Sequence, residues 1–222
     1  MKLSAFTLLA LVLIAAPMRR LQTPTPECAP QSAWGDVLAL GTAGLSSPPA
    51  LAIQPDHLTL AYILSDNDGA HQVMRWLINE RMTDPVTLTL PPIQPRAQLV
   101  FPAENNRVFL LWLDLDEESG LPTLFSALIE PTGEIARGPL RLSGEGERVY
   151  DFHAALVPDG SLWVTWSGAI RHESNVSLRR IDPDGRPNTR SITLVMDARH
   201  PVLIPNTDST ITLLYEEGRG EN

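Results

Sequence analysis

The segment that decides the fold reads ALVPDGSLWVTW and occupies residues 155–166. It begins with a short apolar run that includes a proline, continues through a polar Pro-Asp-Gly-Ser turn, and ends in a second apolar run closed by tryptophan. Proline and glycine favour tight turns, whereas valine, threonine and tryptophan favour strands. The segment therefore predicts two β-strands joined by a turn.

The same pattern occurs four times along the chain. Each copy is anchored by a proline, and the intervals of 47, 56 and 47 residues separate Pro55, Pro102, Pro158 and Pro205. The strand after each turn ends in an aromatic residue, and these strands are predicted at 58–62, 108–112, 162–166 and 211–215. Self-similarity at a common period of this size is the signature of a repeat protein.

A third and a fourth strand complete the unit in the first three copies. The third strand is predicted at 72–78, 123–129 and 176–181, and the fourth at 86–90, 140–143 and 192–196. The turns between them read Glu-Pro-Thr-Gly at 130–133 and Asp-Pro-Asp-Gly at 182–185, and both compositions favour a tight reversal. A polar insertion at residues 144–148 accounts for much of the longer middle interval.

Four short strands in a unit of about 45 residues are typical of a propeller blade. A single blade has two apolar faces, so it is stable only when neighbouring blades cover them. We therefore predict an all-β, propeller-like array of four-stranded antiparallel blades, with about four repeats and the last one incomplete. The folded region is expected at 34–222, with repeats at 48–95, 96–148, 149–196 and 197–222. A β-sandwich is the alternative fold.

Two stretches resemble secreted bacterial β-propeller repeats of the sialidase-like, Asp-box-like kind. They are LAYILSDNDG at residues 60–69 and IDPDGR at residues 181–186. The likeness covers most of residues 48–216 and implies the propeller architecture. A proper Asp box, Ser-x-Asp-x-Gly-x-Thr-Trp between strands three and four, is absent from the sequence. The arginine triad, tyrosine nucleophile and acid of that family have no matching positions, so the resemblance implies no catalytic residue.

The first residues are typical of an export signal. Lys2 precedes an uncharged apolar run at residues 3–16, which as a helix would span about 21 Å, short of a bilayer core of about 30 Å. We predict a signal peptide or an N-terminal membrane anchor at 1–20 and a proline-rich leader at 21–33 that carries the unpaired Cys28. The protein is then exported, to a secreted, periplasmic or cell-surface location.

The composition excludes several functional classes. Lys2 is the only lysine and Cys28 the only cysteine, which excludes a pyridoxal Schiff base, a Walker-type phosphate loop, an internal disulfide and a thiolate zinc site. A formal charge of −9 without basic runs argues against nucleic acid as a partner. His172 begins His-Glu-Ser-Asn-Val rather than H-E-x-x-H, and no other catalytic motif stands in the sequence. We expect no cofactor and no metal.

The candidate ligand-binding residues lie where the innermost strands begin. In an alignment on the anchoring prolines, Arg96 and Arg199 fall at one repeat position, and His153 and His200 fall at the next. In a propeller these positions share a face with the loops between strands two and three, which are acidic in this sequence. Because loops on a rigid scaffold often carry function, the four residues are candidates for a ligand site. The alternative is that they only satisfy backbone carbonyls at the surface.

The sequence favours a non-catalytic extracytoplasmic module that binds a protein or glycan ligand through this loop face. The fourth repeat contains only its first two strands, so further blades downstream of Asn222, in a longer protein, are also expected. The alternative is a fragment of a sialidase-like or other propeller glycoside hydrolase. Such an enzyme needs two carboxyl groups, or a tyrosine and an acid, at one site.

Overall fold

The computed structural model describes residues 48–54, 56–66, 69–79, 81–90, 95–170, 173–188 and 190–218. The predicted signal, the proline-rich leader, Cys28 and the expected start of the folded region at residue 34 lie outside these residues. Apart from one turn of 3-10 helix at Glu104–Asn106, the regular elements in the described ranges are β-strands. Within the same ranges, no helix has the length and apolarity needed to cross a membrane. The all-β prediction is confirmed.

Consecutive strands pair antiparallel and form four sheets, which we call blades 1 to 4. Blade 1 contains β1 (Ala50–Ile53), β2 (His57–Asp66), β3 (Gly69–Ile78), β4 (Arg81–Met82) and β5 (Val86–Thr87). Blade 2 contains β6 (Ala97–Pro102), β7 (Val108–Leu115), β8 (Pro122–Ile129) and β9 (Ile135–Arg141). Blade 3 contains β10 (Arg148–Leu156), β11 (Leu162–Ile170), β12 (Glu173–Ile181) and β13 (Ile192–Met196). The described part of blade 4 contains β14 (Ala198–Pro205) and β15 (Ile211–Glu217). This is the predicted propeller-like array, with two strands of the fourth sheet in the described residues.

Strand β7 shows how neighbouring blades stack. Val108, Leu110 and Trp112 belong to the apolar cluster between blades 1 and 2, and the alternate residues Phe109, Leu111 and Leu113 belong to the cluster between blades 2 and 3. Successive side chains of a strand point to opposite faces, so a strand covered on both faces becomes an uninterrupted apolar run. Each fully buried side chain of this size contributes about 1.5–3 kcal/mol.

The tight turns between the third and fourth strands pack on the preceding blade. In blade 2 the Gly133 amide donates to the Glu130 carbonyl at 2.9 Å, and Gly133 has a φ of +87°. A Cβ at Gly133 would lie 2.6 Å from Val86 Cγ1 in blade 1. The turn at Asp182 repeats the arrangement in blade 3, where the Gly185 amide donates to the Asp182 carbonyl at 2.8 Å. Both predicted turns are confirmed.

The fourth strands are less regular than the sequence predicts. In blade 2 the strand β9 begins at Ile135, directly after the turn, because Ile129 pairs with Ile135; the prediction of residues 140–143 was therefore displaced. In blade 1 the outer strand consists of the two-residue pieces β4 and β5, both paired with β3. The pairing of β8 with β9 contains two register shifts, so β9 carries little side-chain periodicity, whereas β13 lies at the predicted residues 192–196.

The apolar cluster between blades 3 and 4 has the fewest buried residues of the three. It consists of the buried residues Ala155, Leu178 and Leu203, with Trp163, Ile211 and Leu213 packed against them. The aromatic residues that end strand two are buried in the first three blades, at Tyr62, Trp112 and Trp166. Tyr215 in blade 4 is 43% exposed, unlike its three counterparts. Only two strands of this blade lie in the described ranges, so fewer side chains cover Tyr215.

Candidate functional site

The starts of the innermost strands meet the ends of the second strands at one edge of each blade. In blade 3, Arg148 at the start of β10 pairs with Ala169 near the end of β11. In blade 4, Arg199 near the start of β14 pairs with Glu216 near the end of β15. Strand β12 begins at the same edge, because Ser174 pairs with Ala169. Side chains from three strands of blade 3 and from blade 4 can therefore share one site.

Two β-bulges interrupt the pairing at this edge. In β10 the register shifts between Val149 and Asp151, which leaves Tyr150 without a partner in β11. In β14 the register shifts between Arg199 and Val202, and the φ of His200 is +50°. A bulge disrupts the ladder and redirects side chains, and bulges are frequent beside functional sites. A positive φ is uncommon for a residue other than glycine. The two bulges mark the same end of adjacent blades as a candidate site.

An open cleft of about 440 Å³ lies between the two bulged strands. We call it the blade 3–4 cleft, and it is lined by Tyr150, Ser167, Ala169, Ser174, Arg199 and His200. The first four belong to blade 3 and the last two to blade 4. The lining therefore combines an aromatic ring, hydroxyl groups, an imidazole and a guanidinium, and no carboxylate belongs to it among the residues that the structure describes.

Asp151 joins the two walls of the cleft. Its Oδ2 lies 2.7 Å from Nδ1 of His200 in blade 4, and its Oδ1 accepts a short hydrogen bond from the Ser167 hydroxyl in blade 3. Both carboxylate oxygens are thus engaged. The carboxylate fixes the orientation of the imidazole, while 64% of the His200 side chain stays exposed.

Arg199 supplies the positive charge of the cleft. It is exposed, and Glu216 stands opposite it in the strand register. In the part of the chain that the structure describes, the arginine ion pairs involve Arg141, Arg180 and Arg186, and not Arg199. The guanidinium is therefore available to an anionic ligand.

The structure brings together two of the four candidate residues from the sequence. Arg199 and His200 line the blade 3–4 cleft. His153 does not line it: its Nδ1 accepts a hydrogen bond from the Leu203 amide at 3.1 Å, and burial lowers its pKa. Arg96 is exposed on blade 2, where its backbone amide donates to the Leu113 carbonyl. Neither residue lines the cleft, because His153 connects the blades and Arg96 belongs to a different blade.

Glu147 is the buried acid that the sequence did not reveal. It is 3% exposed, its Oε1 accepts from Trp166 Nε1 at 2.9 Å, and its Oε2 accepts from the Gly144 amide at 2.7 Å. Gly168 leaves the required space, because a Cβ there would lie 2.6 Å from Glu147 Oε1. The insertion at residues 144–148 is therefore fastened to β11 next to the cleft rather than solvated.

The acidic loop between β7 and β8 has a structural role in the described residues. Asp116 accepts hydrogen bonds from the Ser119 hydroxyl at 2.6 Å and from the Ser119 amide at 3.1 Å. These bonds, and to a lesser extent the nearby Arg141, lower the pKa of Asp116. Within the described ranges, no group of acidic, histidine or cysteine side chains is arranged to hold a metal ion.

No family model and no curated protein matches this chain. Similar solved structures include a protein of unknown function from Dyadobacter fermentans, at 11% identity and a TM-score of 0.49, covering 72% of this chain and 45% of that chain. They also include an endo-arabinase from Bacteroides thetaiotaomicron, at 13% identity and a TM-score of 0.45, covering 75% of this chain and 68% of that chain. A Hadza microbial sialidase is 10% identical with a TM-score of 0.42, covering 75% of this chain and 39% of that chain.

This chain spans less than half the length of the Dyadobacter protein and of the sialidase. Identities of 10–13% and TM-scores below 0.5 assign no activity to it. The blade architecture rests on the strand pairing itself, and the function has to be argued from the cleft.

Proposed function

We propose that this chain is a non-catalytic, extracytoplasmic β-propeller module that binds a protein or glycan ligand in the blade 3–4 cleft. The observation that carries the proposal is Arg199, an exposed guanidinium in an open cleft whose described lining residues include no carboxylate. Hydrogen bonds from a guanidinium to an anion are roughly twice as strong as neutral ones. The export signal predicted at 1–20 supplies the extracytoplasmic part of the proposal.

The cleft supports binding better than hydrolysis. A glycoside hydrolase needs a pair of carboxyl groups, or a tyrosine nucleophile with an acid. Asp151 and Glu173 each neighbour a lining residue in sequence. Asp151 is the one bonded to lining side chains, and both of its oxygens already accept hydrogen bonds, from Ser167 and His200. A carboxylate engaged in this way orients its two partners.

The alternative function, a part of a propeller glycoside hydrolase, is favoured by one observation. Tyr150 lies in the cleft and its side chain is 56% exposed. Incubation of the full chain with aryl glycosides, followed by release of the aryl alcohol, tests this alternative. Turnover that is lost in Tyr150→Phe would replace the binding proposal.

Calorimetric titration of the full chain tests the binding proposal with three probes: a galacturonate trimer, the matched neutral galactose trimer, and an acidic hexapeptide. Arg199→Ala should weaken binding of a charged probe at least tenfold, because a hydrogen bond to a charged group contributes about 1.5–3 kcal/mol. Arg96→Ala is the matched control, since Arg96 is an equally exposed arginine outside the cleft lining. Binding should also weaken with added salt.

The outcomes of this titration distinguish a site in the blade 3–4 cleft, which contains Arg199 only, from a site that also contains Arg96. A loss of affinity in Arg199→Ala but not in Arg96→Ala supports binding in the blade 3–4 cleft. An equal loss on both substitutions would support the four-residue site expected from the sequence instead. Absence of binding for all three probes would contradict the proposed function.

A further inference from the structure

His200 is held so that one ring nitrogen is occupied and the other is left for a ligand. Its Nδ1 lies 2.7 Å from Asp151 Oδ2, and an ionised carboxylate can only accept hydrogen bonds. Nδ1 must therefore carry the proton of this bond. In the neutral ring Nε2 is then an acceptor, and in the protonated ring it becomes a second donor.

Each element packed at this edge carries charged or titratable groups. Strand β10 contributes Arg148, Tyr150 and Asp151 to this edge, and β14 contributes Arg199 beside His200 itself. Strand β15 contributes Glu216 opposite Arg199, and β12 begins with the exposed Glu173. Asp151 is the carboxylate bonded to the ring, so a protonated His200 is balanced by Asp151 while Arg199 keeps its own charge for a ligand.

We propose that Arg199 and His200 form a proton-dependent anion site that binds a carboxylate group, with Asp151 and Ser167 as positioning residues. This inference rests on the proposed function, since it concerns the same cleft. Arg199 binds the carboxylate at any physiological pH. His200 adds a charge-assisted hydrogen bond from Nε2 only when the ring is protonated.

The neutral ring does the opposite. With Nδ1–H directed to Asp151, the lone pair of neutral Nε2 faces the cleft and repels a carboxylate oxygen. The change from an acceptor to a charged donor should change the affinity for a carboxylate roughly tenfold or more. Imidazole groups change charge between about pH 5 and 8, so the affinity should fall across this interval.

The second histidine at this blade contact does not fit the role. His153 Nδ1 accepts from the Leu203 amide, which requires an unprotonated nitrogen, and burial lowers the pKa of this residue. It does not belong to the described lining of the cleft. His200 is the histidine whose second nitrogen can reach a ligand.

The test is calorimetric titration of the full chain with a galacturonate trimer at pH 5, 6, 7 and 8 and constant ionic strength. Wild-type affinity should fall roughly tenfold or more from pH 5 to pH 8. His200→Gln should remove this slope and bind at every pH as the wild type does at pH 8. His57→Gln is the matched control, because His57 is bonded to Asp56 at 2.8 Å in blade 1; it should retain the full slope.

A spectroscopic measurement tests the positioning role without any ligand. The ¹⁵N spectrum of the imidazoles should show neutral His200 as the Nδ1–H tautomer in the wild type. In Ser167→Ala the Nδ1–H tautomer should have a smaller population. Asp151→Ala should release the ring into a mixture of tautomers. A dominant Nε2–H tautomer in the wild type would overturn the inference.

The remaining outcomes distinguish this inference from the proposal on which it rests. Binding that depends on Arg199 but is equal at pH 5 and pH 8, or a slope retained by His200→Gln, would overturn the proton-dependent site and leave the binding module intact. Absence of binding of both the galacturonate trimer and the acidic hexapeptide at every pH would overturn the carboxylate site, whereas binding of the neutral trimer would still support the module.

Discussion

Replacing Gly168 by alanine should destabilise the protein through a clash with a single buried carboxylate. The new Cβ would lie 2.6 Å from Glu147 Oε1 and 3.0 Å from Glu147 Cγ. Glu147 cannot move away cheaply, because its two oxygens accept from Trp166 Nε1 and the Gly144 amide. Overpacking of this kind costs about 1–3 kcal/mol, and in a chain of this length each kcal/mol lowers the Tm by about 2–4 °C.

The companion substitution Glu147→Ala isolates the cause. It removes the acceptor of two buried donors, and hydrogen bonds to a charged group contribute about 1.5–3 kcal/mol each. Removal of a buried charge recovers part of its desolvation penalty, so the net cost should be about 2–5 kcal/mol. It also vacates the space that the Gly168→Ala methyl group requires. In the Glu147→Ala background, Gly168→Ala should therefore cost less than about 0.5 kcal/mol.

Urea unfolding followed by tryptophan fluorescence measures all four members of this cycle, and Trp166 reports directly on the contact. The expected coupling free energy is about 1–3 kcal/mol, within the range seen for residues in contact. Additivity of the two substitutions within about 0.5 kcal/mol would refute the reasoning, because it would mean that the glycine is not required by the carboxylate.

Two further predictions concern the contacts between blades. Burial lowers the pKa of His153 from its ordinary value of 6.5, so the unfolded chain binds the proton more readily than the folded protein. The stability gained from the neutral, buried ring is therefore present above about pH 6.5 and is lost as the pH falls through the unfolded and then the folded pKa. The Tm should drop between pH 7 and pH 5, and His153→Gln should flatten that drop. Gly133→Ala should cost more stability than Gly120→Ala by at least about 1 kcal/mol. Both glycines have positive φ, but only at Gly133 would the Cβ meet blade 1, at 2.6 Å from Val86 Cγ1; equal urea midpoints would contradict the packing argument.

The architecture could be predicted because the blades repeat their physical requirements. Each inner hairpin needs a turn and a strand that is buried on both faces. Every repeat therefore contains turn-forming prolines or glycines and an apolar run, such as residues 108–112. The outer strands were placed less well, because β4 and β5 have two residues each. Such strands are held by backbone pairing and leave almost no pattern in the side chains.

The cleft could be predicted only in part. Alignment on the prolines identified Arg199 and His200, which occupy the start of an innermost strand. Tyr150, Asp151 and Ser167 were missed because they belong to the preceding blade, more than 30 residues away in sequence, and are brought to the cleft by stacking. Glu147 was missed for a different reason: a Gly-Glu-Gly-Glu segment has the composition of a solvated insertion, and only its bond to Trp166 distinguishes the buried acid from its exposed neighbour.

The position of the cleft follows from where the repeat is broken. In blades 1 and 2 the innermost strand pairs with the second strand in an uninterrupted register, and alternation then sends each side chain either into one neighbouring blade or into the other. A side chain of such a strand can point to the open edge only where the register changes. In blades 3 and 4 the register of the innermost strand shifts once, beside Tyr150 and beside His200. The other register shifts in the described residues involve outer strands. The two inner shifts face each other across one contact, so the irregularity that costs pairing energy is also what places an aromatic ring and an imidazole in the same open space.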